Sequence, residues 1–142
     1  MKTEIERILK LRQEANGLNK LMHMRGITLD EDGGATVELD LTDELLNPLG
    51  MAHGGTIFTL CDIAAGSAAA SHGIVAVTLD SNIHYYRPGH AGTTLTAVAY
   101  ERKRGSKTAV YMVEVHDEAR RHIADAVFTM FYTGETLGDK TS

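Results

Sequence analysis

Residues 51–73, MAHGGTIFTLCDIAAGSAAASHG, decide how this chain folds. From Gly54 to His72 almost every residue is apolar or small and none is proline, which predicts a helix buried on every side. Ser71-His72-Gly73 supplies its C-terminal stop. A helix with no polar face needs cover all round, so the rest of the chain must wrap it. One carboxylate, Asp62, interrupts the run. An unpaired buried charge is costly, so Asp62 requires a reason to be there.

The flanking segments are suited to provide the cover. After Gly73 the period changes to two: Val75, Val77, Leu79, Ser81, Ile83 and Tyr85 alternate with Ala76, Thr78, Asp80, Asn82 and His84. RPGHAG (87–92) breaks this strand. Strand-like stretches then cover 93–103, 107–117 and 122–133, with turns at RGSK (104–107) and near DEARR (117–121). Upstream, RGITLDEDGGATVELDLT (25–42) reads as a hairpin turning at Gly33-Gly34. Residues 43–52, with Pro48, read as a loop or short turn. Residues 3–24 carry Ile5, Ile8 and Leu9 among charges at helical spacing, and Asn16-Gly17 divides that helix in two. Short turns favour antiparallel neighbours. The expectation is an α+β domain, a curved antiparallel sheet wrapped around one long central helix. It spans 1–142 as a single domain, with an N-terminal helical segment at 1–24 and a frayed tail at 136–142.

Composition narrows the function. The 142 residues are enough to bury a core without staples. Lys and Arg number 14 against 19 Asp and Glu, a net charge of −5, which argues against general nucleic-acid binding. The single cysteine, Cys61, cannot form an internal disulfide. The N-terminus lacks the apolar core of a signal peptide, and no stretch reaches the roughly 18 apolar residues of a membrane span. A cytoplasmic protein without nucleic-acid or membrane partners is expected.

Small or short side chains surround Asp62 on its helix: Thr59, Ala65, Gly66 and, a turn on, Ala69. They leave room for another helix or a ligand. At the helix start, Gly54 and Gly55 carry amides with no intrahelical acceptor, at the positive end of the dipole, where an oxyanion is stabilised. Gly54 and Asp62 lie eight residues apart, about 12 Å along a helix. A base or nucleophile must stand roughly 3 Å from the atom it attacks. One chain therefore cannot use both on one substrate, whereas two helices packed antiparallel about a twofold axis can.

Here the chain resembles the hotdog-fold acyl-CoA thioesterases, in particular the phenylacetyl-CoA-type (PaaI-like) branch. NPLGMAHGGTIFTLCD (47–62) carries the most specific part, namely Asn47, His53-Gly54-Gly55 and Asp62 at their combined spacing. YYRPGHAGTTLTAVA (85–99) is a looser match. The resemblance runs from about Leu45 to Thr133. It implies a homodimer, often paired into a homotetramer, that hydrolyses acyl-CoA to a carboxylic acid and CoA without a metal or redox cofactor; CoA enters only as part of the substrate. It implies that Asp62 is the general base or the nucleophile, and that the Gly54 amide, with Gly55, polarises the thioester carbonyl. Asn47 would position the water or the carbonyl, His53 would shape the helix entry near the thioester, and Thr78 matches a hydroxyl position near the carboxylate.

Other residues allow competing readings. ERKRGSK (101–107) places Arg102, Lys103, Arg104 and Lys107 in one turn of an acidic protein; this is either a solvated hairpin or, with Arg87, Pro88 and Gly89, a CoA phosphate site. Phe58, Leu60 and Ile83 are candidate acyl-pocket residues. The N-terminal helix either covers the acyl pocket or extends the fold. Cys61 points about 100° away from Asp62 and reads as core. The seven histidines show no metal-ligand spacing, so no metal is expected. Two alternatives keep the fold and change the role: a hydratase or dehydratase acting on acyl thioesters, and a non-enzymatic acyl-CoA sensor.

Overall fold

The computed structural model describes residues 2–138. Two short helices, α1 (Lys2–Ala15) and α2 (Gly17–Leu21), precede the hairpin β1 (Met24–Leu29) and β2 (Ala35–Asp40). A 3₁₀ turn at Asp43–Leu45 leads to the long helix α3 (Gly54–Ala70). Four strands follow: β3 (Ile74–Tyr85), β4 (Thr94–Arg104), β5 (Thr108–His116) and β6 (His122–Thr136). They form one six-stranded sheet in the order β1-β2-β4-β5-β6-β3, with every pair antiparallel.

The sheet covers α3 on all but one strip, where Gly55, Thr59, Asp62 and Gly66 stay exposed or half-buried, so the helix is not buried on every side. Leu60, Cys61, Ala64, Ala65, Ala68 and Ala69 are fully buried against inward residues of the sheet: Val37, Leu39, Leu95, Ala97, Val113, Val115 and Phe128. Small residues on α3 let the strands approach closely, and each strand adds its alternate side chains to a common core. The β1–β2 turn shows how tight this packing is. A side chain at Gly34 would meet the Asp30 carboxylate and come within 2.7 Å of the Ala99 carbonyl oxygen. Gly34→Ala is expected to cost about 1–3 kcal/mol by overpacking, read as a lower denaturation midpoint with an unchanged m-value.

Three expectations are corrected. Consecutive strands β3 and β4 are not neighbours: residues 86–93 carry the chain across the fold, so β3 becomes an edge strand beside β6. The alternation along β3 is broken by irregularities at Ile74/Ala76 and Thr78/Asp80. A bulge switches which parity faces α3, so Thr78 and Tyr85 both reach that helix while Val77 and Leu79 are 49% and 63% exposed. Finally, the tail expected to fray from 136 is fastened through Leu137. That side chain is 5% exposed, its N–H donates to the Gly73 carbonyl (2.8 Å), and its carbonyl accepts from Arg12 (3.0 Å). Residues 139–142 lie outside the described part.

Candidate active site

The loop before α3 builds the amide-bearing end. Asn47 Oδ1 accepts the N–H groups of Leu49 (2.9 Å) and Met51 (3.1 Å), closing a tight Asx-type turn. Leu45 holds the helix entry through its carbonyl, which accepts from His53 N (3.0 Å) and Thr56 Oγ1 (3.0 Å). His53 is the N-cap in extended geometry, and its Nδ1 accepts the Gly55 N–H at 3.0 Å. That bond needs a lone pair on Nδ1, so the ring carries its proton on Nε2.

This arrangement separates the two glycines. The Gly55 amide is already bonded to His53, so it is not the free donor that the motif suggests. Gly54 N has no acceptor among the described residues and is the amide left for a ligand. Tyr85, which the sequence reading left out of the site, donates its hydroxyl to the Gly54 carbonyl at 2.8 Å. Burial raises the Tyr85 pKa, which keeps the phenol protonated as a donor. Its only sequence signal is its place in the YYRPG match. Gly54 and Asn47 line a cavity of about 360 Å³ together with Tyr85, Tyr86, Arg87 and Pro88. Arg87 also donates to the His122 carbonyl (3.3 Å). Gly89 is buried behind this lining: its carbonyl accepts the Ala52 N–H (2.9 Å), and a side chain there would come within 3.0 Å of Ala52 Cβ.

Asp62 stands in a different cavity, of about 470 Å³, with Thr59, Gly66, Ala76, Thr78 and Met130. Thr78 Oγ1 donates to Asp62 Oδ1 at 2.5 Å, so this hydroxyl and the carboxylate are in direct contact. A hydroxyl has one proton, and the carboxylate is a far better acceptor than Met130 Sδ at 3.7 Å. Oδ1 is thus engaged, and Oδ2 has no hydrogen-bond partner among the described residues. Cys61 is fully buried, and burial first, then the nearby carboxylates of Asp62 and Asp125, push its thiol up to about 12. It is no nucleophile at neutral pH. Among the described residues no group of His, Cys, Asp and Glu could hold a metal ion. No helix among them is long and apolar enough to cross a membrane.

The candidate pocket and CoA residues divide. Leu60 is fully buried in the core and lines neither cavity, which corrects its reading as a pocket residue. Phe58 packs against Phe128 with ring centroids 5.5 Å apart, and Ile83 packs on the core edge. Of the basic turn, Arg104 and Lys107 line a cleft of about 500 Å³ with His72, Phe131 and Tyr132. Arg102 and Lys103 are exposed and line no part of it. Arg104 is within 3.3 Å of Glu101, which also bonds His72 (2.7 Å) and Tyr111 (3.1 Å).

A family model described as the thioesterase superfamily matches residues 49–124, the span that carries both Gly54 and Asp62. The chain belongs to the thioesterase superfamily. It is 40% identical over 98 residues to the acyl-coenzyme A thioesterase PaaI of Escherichia coli K12, covering 69% of each chain. The solved structure of the E. coli PaaI protein from the phenylacetic acid degradation operon matches this thioesterase fold with a TM-score of 0.88 at 30% identity, over 95% of this chain and 97% of that one. A hypothetical thioesterase protein of Streptococcus pneumoniae TIGR4, solved with coenzyme A, matches with a TM-score of 0.74 at 36% identity, over 78% of this chain and 87% of that one. The six-stranded sheet around α3 is the hotdog fold, and the chain is a PaaI-like member of this superfamily.

Proposed function

We propose that this protein hydrolyses acyl-CoA thioesters at sites shared between two copies of the chain, each combining Asp62 of one copy with the Gly54 amide of the other. The observation that carries this reading is the separation within one chain. Asp62 and Gly54 lie in different cavities, about 12 Å apart along α3, too far for one carbonyl to meet both. β3 offers the means of joining two copies. It is a 12-residue edge strand with an unpaired side and exposed Val77 and Leu79, a template for a further strand.

Two contacts within the chain support one register for that pairing. Thr78 marks Asp62 on β3, and Tyr85 marks Gly54. Bringing Asp62 to the partner's helix start therefore sets Thr78 beside the partner's Tyr85. The twofold axis then falls near Ser81 and Asn82. In a tetramer, a second dimer would cover the half-exposed row of Val98, Tyr100 and Val127 on the outer face of the sheet.

In such a site the Gly54 N–H polarises the thioester carbonyl and stabilises the oxyanion that forms. Oδ2 of Asp62 acts on the carbonyl carbon, either by taking a proton from water as water adds, or by adding directly to form an anhydride that water then hydrolyses. Either way the C–S bond breaks: in the first course the proton held by Asp62 passes to the leaving sulfur, and in the second CoA leaves as the thiolate and takes its proton from solvent. Asn47 has an amide nitrogen without a protein partner among the described residues, suited to hold the water or the carbonyl. Two solved variants of the S. pneumoniae thioesterase support the Asp62–Thr78 pairing. They replace an aspartate and a threonine with alanine at positions 16 residues apart, the spacing of Asp62 and Thr78.

Arg104 and Lys107 suit the phosphates of CoA. Their cleft includes Ile74, four residues before Thr78 and so about 13 Å along β3 from the carboxylate. The test is thiol release over a panel of phenylacetyl-, hydroxybenzoyl-, short- and long-chain acyl-CoAs. Release from at least one is expected, and release from none would overturn the reading. In the same assay Arg104→Glu is expected to raise KM for the best acyl-CoA about tenfold, and to leave the matching N-acetylcysteamine thioester, which lacks the nucleotide, unaffected. An equal effect on both would remove Arg104 from phosphate binding.

A further inference from the structure

The N-terminal helices form a strap across the side of α3 that the sheet leaves open. Glu6 ties α1 to one edge of the sheet by accepting the Leu29 N–H at 2.7 Å. Arg12 ties it to the other side through the Leu137 carbonyl at 3.0 Å, and Ile5 packs over Gly73 at the start of β3. Between these anchors and α2 the chain turns at Asn16, and this elbow stands over Asp62. Gln13, Asn16, Leu18 and Asn19 make one wall of the 470 Å³ cavity whose other wall holds Asp62 and Thr78.

The elbow is braced from within. Asn16 Oδ1 caps α2 by accepting the Asn19 N–H at 3.1 Å. The Asn19 side chain, itself buried, donates to both the backbone and side-chain oxygens of Gln13. A segment held by its own hydrogen bonds and anchored on both sides is a fixed wall. When Asp62 stands about 3 Å from the thioester carbonyl, with the oxyanion directed at the partner's Gly54 and the sulfur leading toward solvent, the acyl group is left the space beside Asp62.

We infer that the α1–α2 elbow is the end wall of the acyl compartment, and that Leu18 sets the length of acyl chain the enzyme accepts. This rests on the thioesterase reading above and assigns it a substrate class: short or compact acyl groups in preference to long chains. Leu18 is 54% exposed and can be changed without emptying the core. Leu21, 70% exposed on the same helix and absent from the cavity wall, is the control.

The experiment measures kcat/KM for butanoyl-, octanoyl- and dodecanoyl-CoA in the full-length protein, with thermal melts of each variant. Leu18→Ala is expected to raise the dodecanoyl-to-butanoyl ratio at least about fourfold, the gain for one further buried methylene. Leu18→Trp is expected to lower the ratio by a similar factor. Leu21→Ala and Leu21→Trp should leave the ratio at the wild-type value. Ratios that move no more for Leu18 than for Leu21, or rates that fall equally at all chain lengths, would overturn the inference while hydrolysis itself stands. A wild-type protein that hydrolyses none of the three, nor any ester of the wider panel, would overturn both readings.

Discussion

Asp62→Ala is expected to lower acyl-CoA hydrolysis by about 10²–10⁴-fold, the range for loss of a positioned proton-transfer group. The fold should survive. Asp62 is only partly buried in the isolated chain, and its one hydrogen bond among the described residues is to the Thr78 hydroxyl, which has Met130 Sδ as a second neighbour. Far-UV circular dichroism and the oligomer size should therefore match the parent protein. If Asp62→Ala kept the parent's kcat, the carboxylate would be a structural group and the proposed chemistry would fail. Thr78→Ala should act in the same direction but more weakly, because it removes an orienting bond rather than the reacting oxygen.

The second large effect comes from mixing two disabled chains. Gly54 is the first residue of α3, and the residue before it, His53, is extended at φ −63° and ψ 139°. Proline is tolerated at a first helical position and requires an extended predecessor, so Gly54→Pro removes the free N–H with little cost to the helix. Alone it should lose about 10²–10³-fold in kcat, as for an oxyanion-hole donor. In a heterodimer of Asp62→Ala with Gly54→Pro, both lesions fall in the same site. The other site keeps an intact aspartate and an intact amide. Random association makes half the dimers heterodimeric, with one working site of two, so roughly a quarter of wild-type activity should return. Two chains that each held a complete site would give no recovery.

Legibility in the sequence followed the range of the contacts involved. α3 was readable because its apolar run is local, and Asp62 stood out because one charge broke that run. The β1–β2 hairpin and the divided N-terminal helix were marked by Gly33-Gly34 and Asn16-Gly17. The place of β3 was hidden because strand order depends on where residues 86–93 cross the fold, which no local period encodes. Its bulge was hidden too: alternation through Val77 and Leu79 looks regular until the partner strand is present. Tyr85, Leu18 and Gln13 reach the two cavities through contacts that tertiary packing makes, so their neighbours in sequence say nothing of them. Leu60 was ambiguous for the converse reason, since a helix residue near a motif can face either the ligand or the core. The two glycines looked equivalent until the His53 ring took one amide.

If the site is shared between copies as proposed, joining them through the edge of β3 also makes the rate depend on how concentrated the enzyme is. A lone copy would then hold an acid without its amide and an amide without its acid, and would contribute nothing rather than half. Once the protein is diluted well below its dissociation constant for pairing, velocity should fall with the square of total enzyme. Assays run at trace levels would then understate the turnover number unless the working range is checked for linearity.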